Sequence, residues 1–486
     1  MFKDIKKLGT DTIIYAVGSG LQSLINFLLI PLYTRNLDTA DYGRLELLNT
    51  VLAVLNMIFL IGMASAIIKV ANRDTKSDDH KKIASGTAFI FVVPITIIFT
   101  VLAWFKATEL AELVLGNAEL VNLVKLLLLA NAVMIPETIF FSTLRSQDRA
   151  KIYSSLWIVR AFVILGLNSY FLIVQKMGIA GILTGNLIAH FLILIVFFLF
   201  VNRTVKFKWD NFLFRKLIKF GLPIIPASLA MWIMDLSDRY FLKHYFDFTE
   251  VGIYSLGYKL GFFLSVVLVT PFQMAWPTIS YRLANEPDSK KTFARIFTYF
   301  FLLASAAALG ISIFDEALIT IMSPAEYITA ATIVPLVAFS YVFYGLHFVL
   351  AQGIHIVEKT KYYPWVIIIP AVLNFGLNYF FVPRFGMMGA AITTIISFAI
   401  VIFLTYLVAN KYYPVKQEWL RLFKIVIAVI IPLIISYFLP TALLSNILTG
   451  VLIFGLFILL LFVFGFFNKE EFAQLKGLRS MFKKAK

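Results

Sequence analysis

The chain contains no cysteine among its 486 residues, which excludes disulfides and thiolate metal sites. Charge is scarce as well: Asp, Glu, Lys and Arg make up 14% of the sequence while 60% is hydrophobic, with a mean hydropathy of +0.87. No soluble domain of this length needs that much apolar surface. Also missing are a Gly-rich phosphate loop, His-Glu-x-x-His and Gly-x-Ser-x-Gly. ATP-driven pumping, zinc hydrolysis and nucleophile-elbow chemistry therefore lack their motifs. Glu109 and Glu112 are the nearest approach to paired catalytic carboxylates, and they fall in a short outer loop where solvation explains them. No enzyme and no cofactor are expected. Runs of about ten alternating residues, the mark of a membrane barrel, do not occur.

What is present is a series of long apolar runs. About 20 apolar residues cross a bilayer as a helix. The pattern predicts an all-α polytopic membrane protein of fourteen spans, near 10–33, 44–68, 83–105, 120–142, 152–174, 179–201, 217–242, 250–272, 293–314, 330–356, 363–382, 387–409, 421–439 and 445–467. The first run is too long for a signal peptide and lacks a cleavage pattern, so it is read as a retained span.

The net charge of +16 sorts by side. With both termini cytoplasmic, inner segments collect 33 of the 43 Lys and Arg, and outer segments hold only Arg35, Arg44, Lys106, Lys176, Lys243 and Arg384. This positive-inside bias predicts a multi-pass cell-membrane protein with cytoplasmic ends. It also removes nucleic acid as a partner, because the basic residues face an anionic leaflet. The tail 468–486 reads either as an amphipathic surface helix or as a frayed basic end.

The sequence is duplicated. Thr34 to Leu45 joins two apolar runs, and Lys243 to Tyr254 echoes it: Asp38, Asp41 and Gly43 match Asp247, Glu250 and Gly252, all at a spacing of 209. Asp148-Arg149 recurs as Glu358-Lys359 and Gly166-Leu167-Asn168 as Gly376-Leu377-Asn378, both at 210, and Gly178…Gly181 as Gly386…Gly389 at 208. The expected organisation is an N-terminal lobe over 1–210, a C-terminal lobe over 211–415, two extra spans over 416–467 and the tail. Six spans per repeat is an even number, so the lobes share one orientation, and such parallel repeats place a substrate site around a central cavity between them.

Ionisable groups inside spans normally face a bundle interior or a wet cavity. Asp235, Asp238 and Arg239 share one face of span 7, and two readings stand for Asp235 and Arg239: cavity lining, or a pair that neutralises itself across four residues. Arg160 in span 5 and Lys259 in span 8 have no acidic residue within four positions, which points to a cavity role. Arg35 and Arg44 lie near an interface, where they line the cavity or snorkel. Lys125 and Glu137 fall in span 4. Asn26, Asn49, Asn56 and Gln273 form polar stripes that serve either substrate or helix–helix contacts. His347 and His355 read as packed, hydrogen-bonded histidines.

The Tyr33-Thr34-Arg35 to Tyr42-Gly43-Arg44 stretch, the Pro271-Phe272-Gln273-Met274-Ala275-Trp276-Pro277 run and the 6+6+2 layout resemble the polysaccharide flippases of the multidrug/oligosaccharidyl-lipid/polysaccharide exporter superfamily. The resemblance implies two six-helix lobes with alternating access. It implies an undecaprenyl-pyrophosphate-linked oligosaccharide as substrate, moved to the outer leaflet for cell-surface polysaccharide, with membrane lipids and polysaccharide assembly proteins as partners to a monomeric carrier. It also implies cavity cations, a role that Arg35, Arg44, Arg160 and Lys259 can fill. Asp235, Asp238 and Glu137 are the groups available for proton or sodium coupling. A cation antiporter of the same superfamily is the alternative, and a membrane polymerase or glycosyltransferase a more distant one.

Overall fold

The computed structural model describes residues 25–73, 77–438 and 443–467. No strand occurs among the described residues. Among the described residues, eleven helices are long and apolar enough to cross a membrane. The chain is a multi-pass, all-helical membrane protein. The eleven do not fix the full count of spans, which was expected to be fourteen. Expected spans 2 to 13 fall on the eleven. Spans 11 and 12 are the two helical arms of Tyr363–Tyr412, separated by a non-helical kink at Gly386 (φ 53°, ψ −134°). The start of span 1 and the basic tail 468–486 lie outside the described residues, and the last helix counts only as a shorter apolar stretch over Leu448–Val463.

The chain folds as two compact units. The first comprises 1–256, 322–326 and 367–393, and the second 257–321, 327–366 and 394–486. In the first unit, α1 covers 25–36. It is followed by α2 (Thr39–Leu60), α3 (Met63–Arg73), α4 (Asp78–Phe105), α5 (Ala107–Leu115), α6 (Val121–Ser146), α7 (Ala150–Ser169), α8 (Gly178–Thr204), α9 (Asn211–Gly221), α10 (Ile224–Leu236) and α11 (Asp238–Tyr245). Its core stacks aromatic rings from three helices. Phe89 of α4 lies on Phe197 of α8 with centroids 4.9 Å apart, and Phe140 of α6 meets the same ring at 5.0 Å. Lipid is as apolar as these side chains, so van der Waals fit rather than hydrophobic transfer holds such helices together.

Helix α12 (Phe248–Leu264) begins in the first unit. The second unit contains α13 (Thr270–Leu283), α14 (Ser289–Ile313), α15 (Asp315–Met322, its last residue in the first unit) and α16 (Val334–Ile356). The bent α17 (Tyr363–Tyr412) contributes to both units, and α18 (Trp419–Tyr437) and α19 (Leu443–Val463) complete the second. Leu309, Ile425, Phe457 and Phe466 close the core of that unit. His347 is fully buried there. Its Nδ1 lies 2.6 Å from Thr405 Oγ1 and its Nε2 3.1 Å from the Tyr363 hydroxyl, while the His355 ring packs tilted against Tyr363 at 5.4 Å. Both histidines are packed, and His347 is hydrogen-bonded at both nitrogens.

The repeated residues adopt the same local geometry. Asp38 caps α2 by accepting from the Asp41 amide at 2.6 Å. Asp247 caps α12 by accepting from the Glu250 amide at 2.9 Å. Such caps satisfy backbone donors that a helix start leaves open. Gly43 and Gly252 then cross: a Cβ on Gly43 would sit 1.9 Å from the Phe248 carbonyl oxygen, and one on Gly252 2.1 Å from that of Thr39. Small residues allow this backbone approach between membrane helices. Asp148 (φ 55°) and Glu358 (φ 57°) are left-handed residues at the ends of equivalent helices. The next amide donates five residues back in each case, Arg149 to Leu144 and Lys359 to Ile354, both at 3.0 Å.

Candidate functional site

Arg160 is not the unpaired cation that its sequence neighbours suggested. Helices α6 and α7 run antiparallel from the turn at 147–149, which brings Glu137 beside Arg160. The Arg160 Nη1 donates to Glu137 Oε1 at 2.7 Å, with the carboxylate fully buried and the guanidinium side chain 12% exposed. The other carboxylate oxygen, Oε2, lies 2.5 Å from Nδ1 of His190 on α8. A carboxylate can only accept, so Nδ1 of that imidazole carries the proton. The guanidinium also lies over the Trp157 indole at 4.1 Å and near the Phe141 ring at 5.6 Å. Arg160 Nε and Trp157 Nε1 are buried with no hydrogen-bond partner. The group thus combines a partnered charge with unused donor capacity.

A second polar cluster in the same unit surrounds Asp238, which is fully buried. The Tyr254 hydroxyl donates to Asp238 Oδ2 at 2.5 Å, and Asn378 Nδ2 donates to Asp238 Oδ1 at 2.7 Å. Asn378 Nδ2 also reaches Asn374 Oδ1 at 3.1 Å, and Thr393 Oγ1 donates to Asn378 Oδ1. Arg239, at the next position, donates from Nε to Ser255 Oγ at 3.2 Å and from Nη1 to the Asp235 carbonyl at 3.1 Å. Those bonds tie Arg239 to the Asp235 backbone and to α12. Hard cations take oxygen ligands, and the oxygens of Asp238, Asn374, Asn378, Tyr254 and Thr393 are of that kind. A single carboxylate suits a monovalent ion or a proton, and no cluster of three or more His, Cys, Asp or Glu that would suit a metal occurs among the described residues.

The other expected residues are dispersed. Arg44 pairs with Asp41 one turn earlier and lies over the Phe248 ring at 5.1 Å. Arg35 and Asn26 are exposed on α1. Asn49 donates to Glu46 at 3.4 Å, and Asn56 Oδ1 is buried with no hydrogen-bond partner. Lys259, half-buried, and Gln273, exposed, belong to the second unit. A small cavity of about 20 Å³ in that unit is bounded by Phe293, Phe297, Leu350, Tyr406 and Tyr413, and none of the expected residues reaches it. Sequence reasoning missed His190, Tyr254, Asn374 and Thr393. Asn378 was visible only as a repeat marker.

A family profile described as polysaccharide biosynthesis protein matches residues 8–282. The chain belongs to the polysaccharide biosynthesis protein family. The matched segment contains Glu137, Arg160, His190 and Asp238. A MatE profile matches residues 223–380, which places the chain in the wider exporter superfamily.

Among curated relatives, a protein of the Lsg locus of Haemophilus influenzae is 25% identical over 272 residues, 54% of this chain and 63% of that protein. The match thus spans less than two thirds of that relative. An uncharacterized membrane protein of Methanocaldococcus jannaschii is 20% identical over 93% of this chain and 94% of its own length. A Haloferax volcanii protein named "probable low-salt glycan biosynthesis flippase Agl15" is 21% identical over 79% of this chain and 78% of its own. The fold is shared with the lipid II flippase MurJ in an inward closed conformation, at a TM-score of 0.74, 14% identity and coverage of 92% of this chain and 98% of that one. An outward-facing multidrug resistance MATE transporter aligns at 0.59, with 17% identity, 84% of this chain and 95% of that one. The Haloferax relative is named a flippase, and the two solved structures are those of a flippase and a transporter.

Proposed function

We propose that the protein moves a lipid-linked oligosaccharide, carried on an undecaprenyl-type diphosphate, from the inner to the outer leaflet for cell-surface polysaccharide synthesis. The Arg160 guanidinium carries this reading. It is an always-charged fork set within the spanning length of α7, backed by an indole, with a donor still free for a phosphate oxygen. An isolated ion meets a barrier of tens of kcal/mol in hydrocarbon, so a carrier of diphosphates needs a fixed cation of this kind along the way. Sugars would be taken by aromatic and amide groups while the lipid tail stays in the bilayer. Lys259, Arg35, Arg44 and Arg239 are the further cations we assign to the path. Asn26, Asn49, Asn56 and Gln273 are assigned to its polar lining.

With cytoplasmic termini, outward movement of the anion is downhill across an inside-negative membrane by about 2.3 kcal/mol per charge per 100 mV. The repeat halves over 1–210 and 211–415 are proposed to alternate around the substrate. The oxygen cluster at Asp238 is the favoured place for a coupling sodium ion or proton, with Asp235 near its rim. Its lone buried carboxylate equally suits a second reading, antiport of organic cations.

Purified protein in vesicles separates these readings. Passage of a labelled lipid-linked oligosaccharide to the far leaflet, with the glycan length unchanged, supports the flippase. Organic-cation efflux without lipid movement supports the antiporter, and glycan elongation would point to a polymerase.

A further inference from the structure

Both oxygens of Glu137 are taken, one by Arg160 and one by His190. Helices α2, α3, α4, α5, α7 and α8 all pack against α6. Their charged residues and histidines are Asp41, Arg44 and Glu46 on α2, Lys69 and Arg73 on α3, and Asp78, Asp79, His80, Lys81 and Lys82 at the start of α4. Glu109 and Glu112 lie on α5, Lys151 and Arg160 on α7, and His190 and Arg203 on α8, while α6 itself adds Lys125 and Arg145. Among the described residues, only Arg160 and His190 pair with this carboxylate.

The exchange proposed below starts from the imidazole protonated at Nδ1 alone, for which the charges of Glu137, Arg160 and His190 sum to zero. A diphosphate that draws the whole guanidinium to itself, Nη1 as well as the free Nε, leaves the fully buried Glu137 carboxylate without that cation. Stripping one partner from a buried ion pair is strongly unfavourable. A proton landing on His190 Nε2 relieves it, because the imidazolium then faces Glu137 across a contact that already exists. Imidazole is the side chain that changes charge near neutral pH.

We propose that His190 and Glu137 form a proton-exchange pair that releases Arg160 to the diphosphate, so that one proton from water is taken up for each diphosphate bound. The inference rests on the reading of Arg160 as a diphosphate contact. Binding then consumes a proton, and affinity falls as pH rises, by at most about tenfold per pH unit.

The test uses the full chain in lipid nanodiscs and farnesyl-diphospho-N-acetylglucosamine, a diester whose phosphates do not titrate near neutrality. Calorimetry in buffers of different ionisation enthalpy reads the protons taken up. The wild type should take up about one proton per molecule bound. Glu137→Gln should bind roughly tenfold more tightly, because Arg160 starts unpaired, and should take up none. His190→Asn should bind more weakly with reduced uptake. Arg160→Gln should lose binding. Zero uptake by a wild type that binds the probe overturns the exchange pair and leaves the flippase reading standing, and this readout needs no variant. A wild type that fails to bind, or binding that survives in Arg160→Gln, removes Arg160 from the diphosphate path and this proposal with it.

Discussion

The two halves of the duplicated chain keep the same turns and differ in their buried polar chemistry. Asp38 and Asp247 cap equivalent helices, Gly43 and Gly252 cross each other, and Asp148 and Glu358 take the same left-handed backbone. The equivalent asparagines have diverged. Asn168 donates to the Tyr33 hydroxyl at 2.6 Å and to Asn186 at 3.2 Å, whereas Asn378 donates to the carboxylate of Asp238. Each half also holds a buried acid. In the first, Glu137 is met by a guanidinium and an imidazole. In the second, a phenol and an amide donate to Asp238. Backbone geometry was retained because it sets how helices turn and cross. The side chains were free to separate into a carboxylate–guanidinium–imidazole group and an oxygen-rich one.

That contrast breaks most readily at Arg160. Arg160→Ala should leave Glu137 buried without its cation, lowering stability by about 3–5 kcal/mol and abolishing lipid-oligosaccharide movement. Adding Glu137→Gln should restore much of the thermal stability in detergent without restoring movement. Next in size is Tyr254→Phe, which removes a bond to a charged group. A loss of about 1.5–3 kcal/mol is expected, with a shift in the sodium or proton dependence of transport. The shared frame is probed by Gly43→Ala and Gly252→Ala. Each should cost about 1–3 kcal/mol through forced backbone displacement, and nearly equal losses in Tm would show that both sides of the crossing are equally tight.

The smallest effect concerns the short helices that follow spans 3 and 9. Lys106, before α5, is exposed and pairs with Glu109 at 2.5 Å. Its counterpart at a spacing of 209 is Asp315, and burial pushes that carboxyl up to about 8. A raised carboxyl favours the protonated folded state, so its contribution is fully present below pH of about 4. It is lost as pH rises toward about 8. Wild-type Tm should therefore fall across that window, and Asp315→Asn should flatten the fall, by roughly 2–4 °C for each kcal/mol recovered.

Much of the fold was legible because apolar length and repeat spacing are one-dimensional signals. The break at Gly386 was legible in the same way, as the gap between spans 11 and 12 and the repeat of Gly178, and both glycines take a left-handed φ. The partner of Arg160 escaped a search limited to four residues along one helix. Depth would have found it: Glu137 stands nine residues before Ser146 and Arg160 ten after Ala150, about 14 and 15 Å from one turn at 1.5 Å per residue. His190 carried no such signal, because nothing in an apolar helix tells which neighbour its face will meet. The Asp238 cluster draws on α11, α12 and both arms of the bent α17, an assembly that only the folded chain reveals.

The most direct measurement is a structure of the protein with a diphosphate-linked lipid bound. The account predicts phosphate oxygens within hydrogen-bond distance of Arg160, with Glu137 turned from the guanidinium toward His190. A diphosphate held elsewhere, with the Arg160–Glu137 pair intact at 2.7 Å, would contradict it.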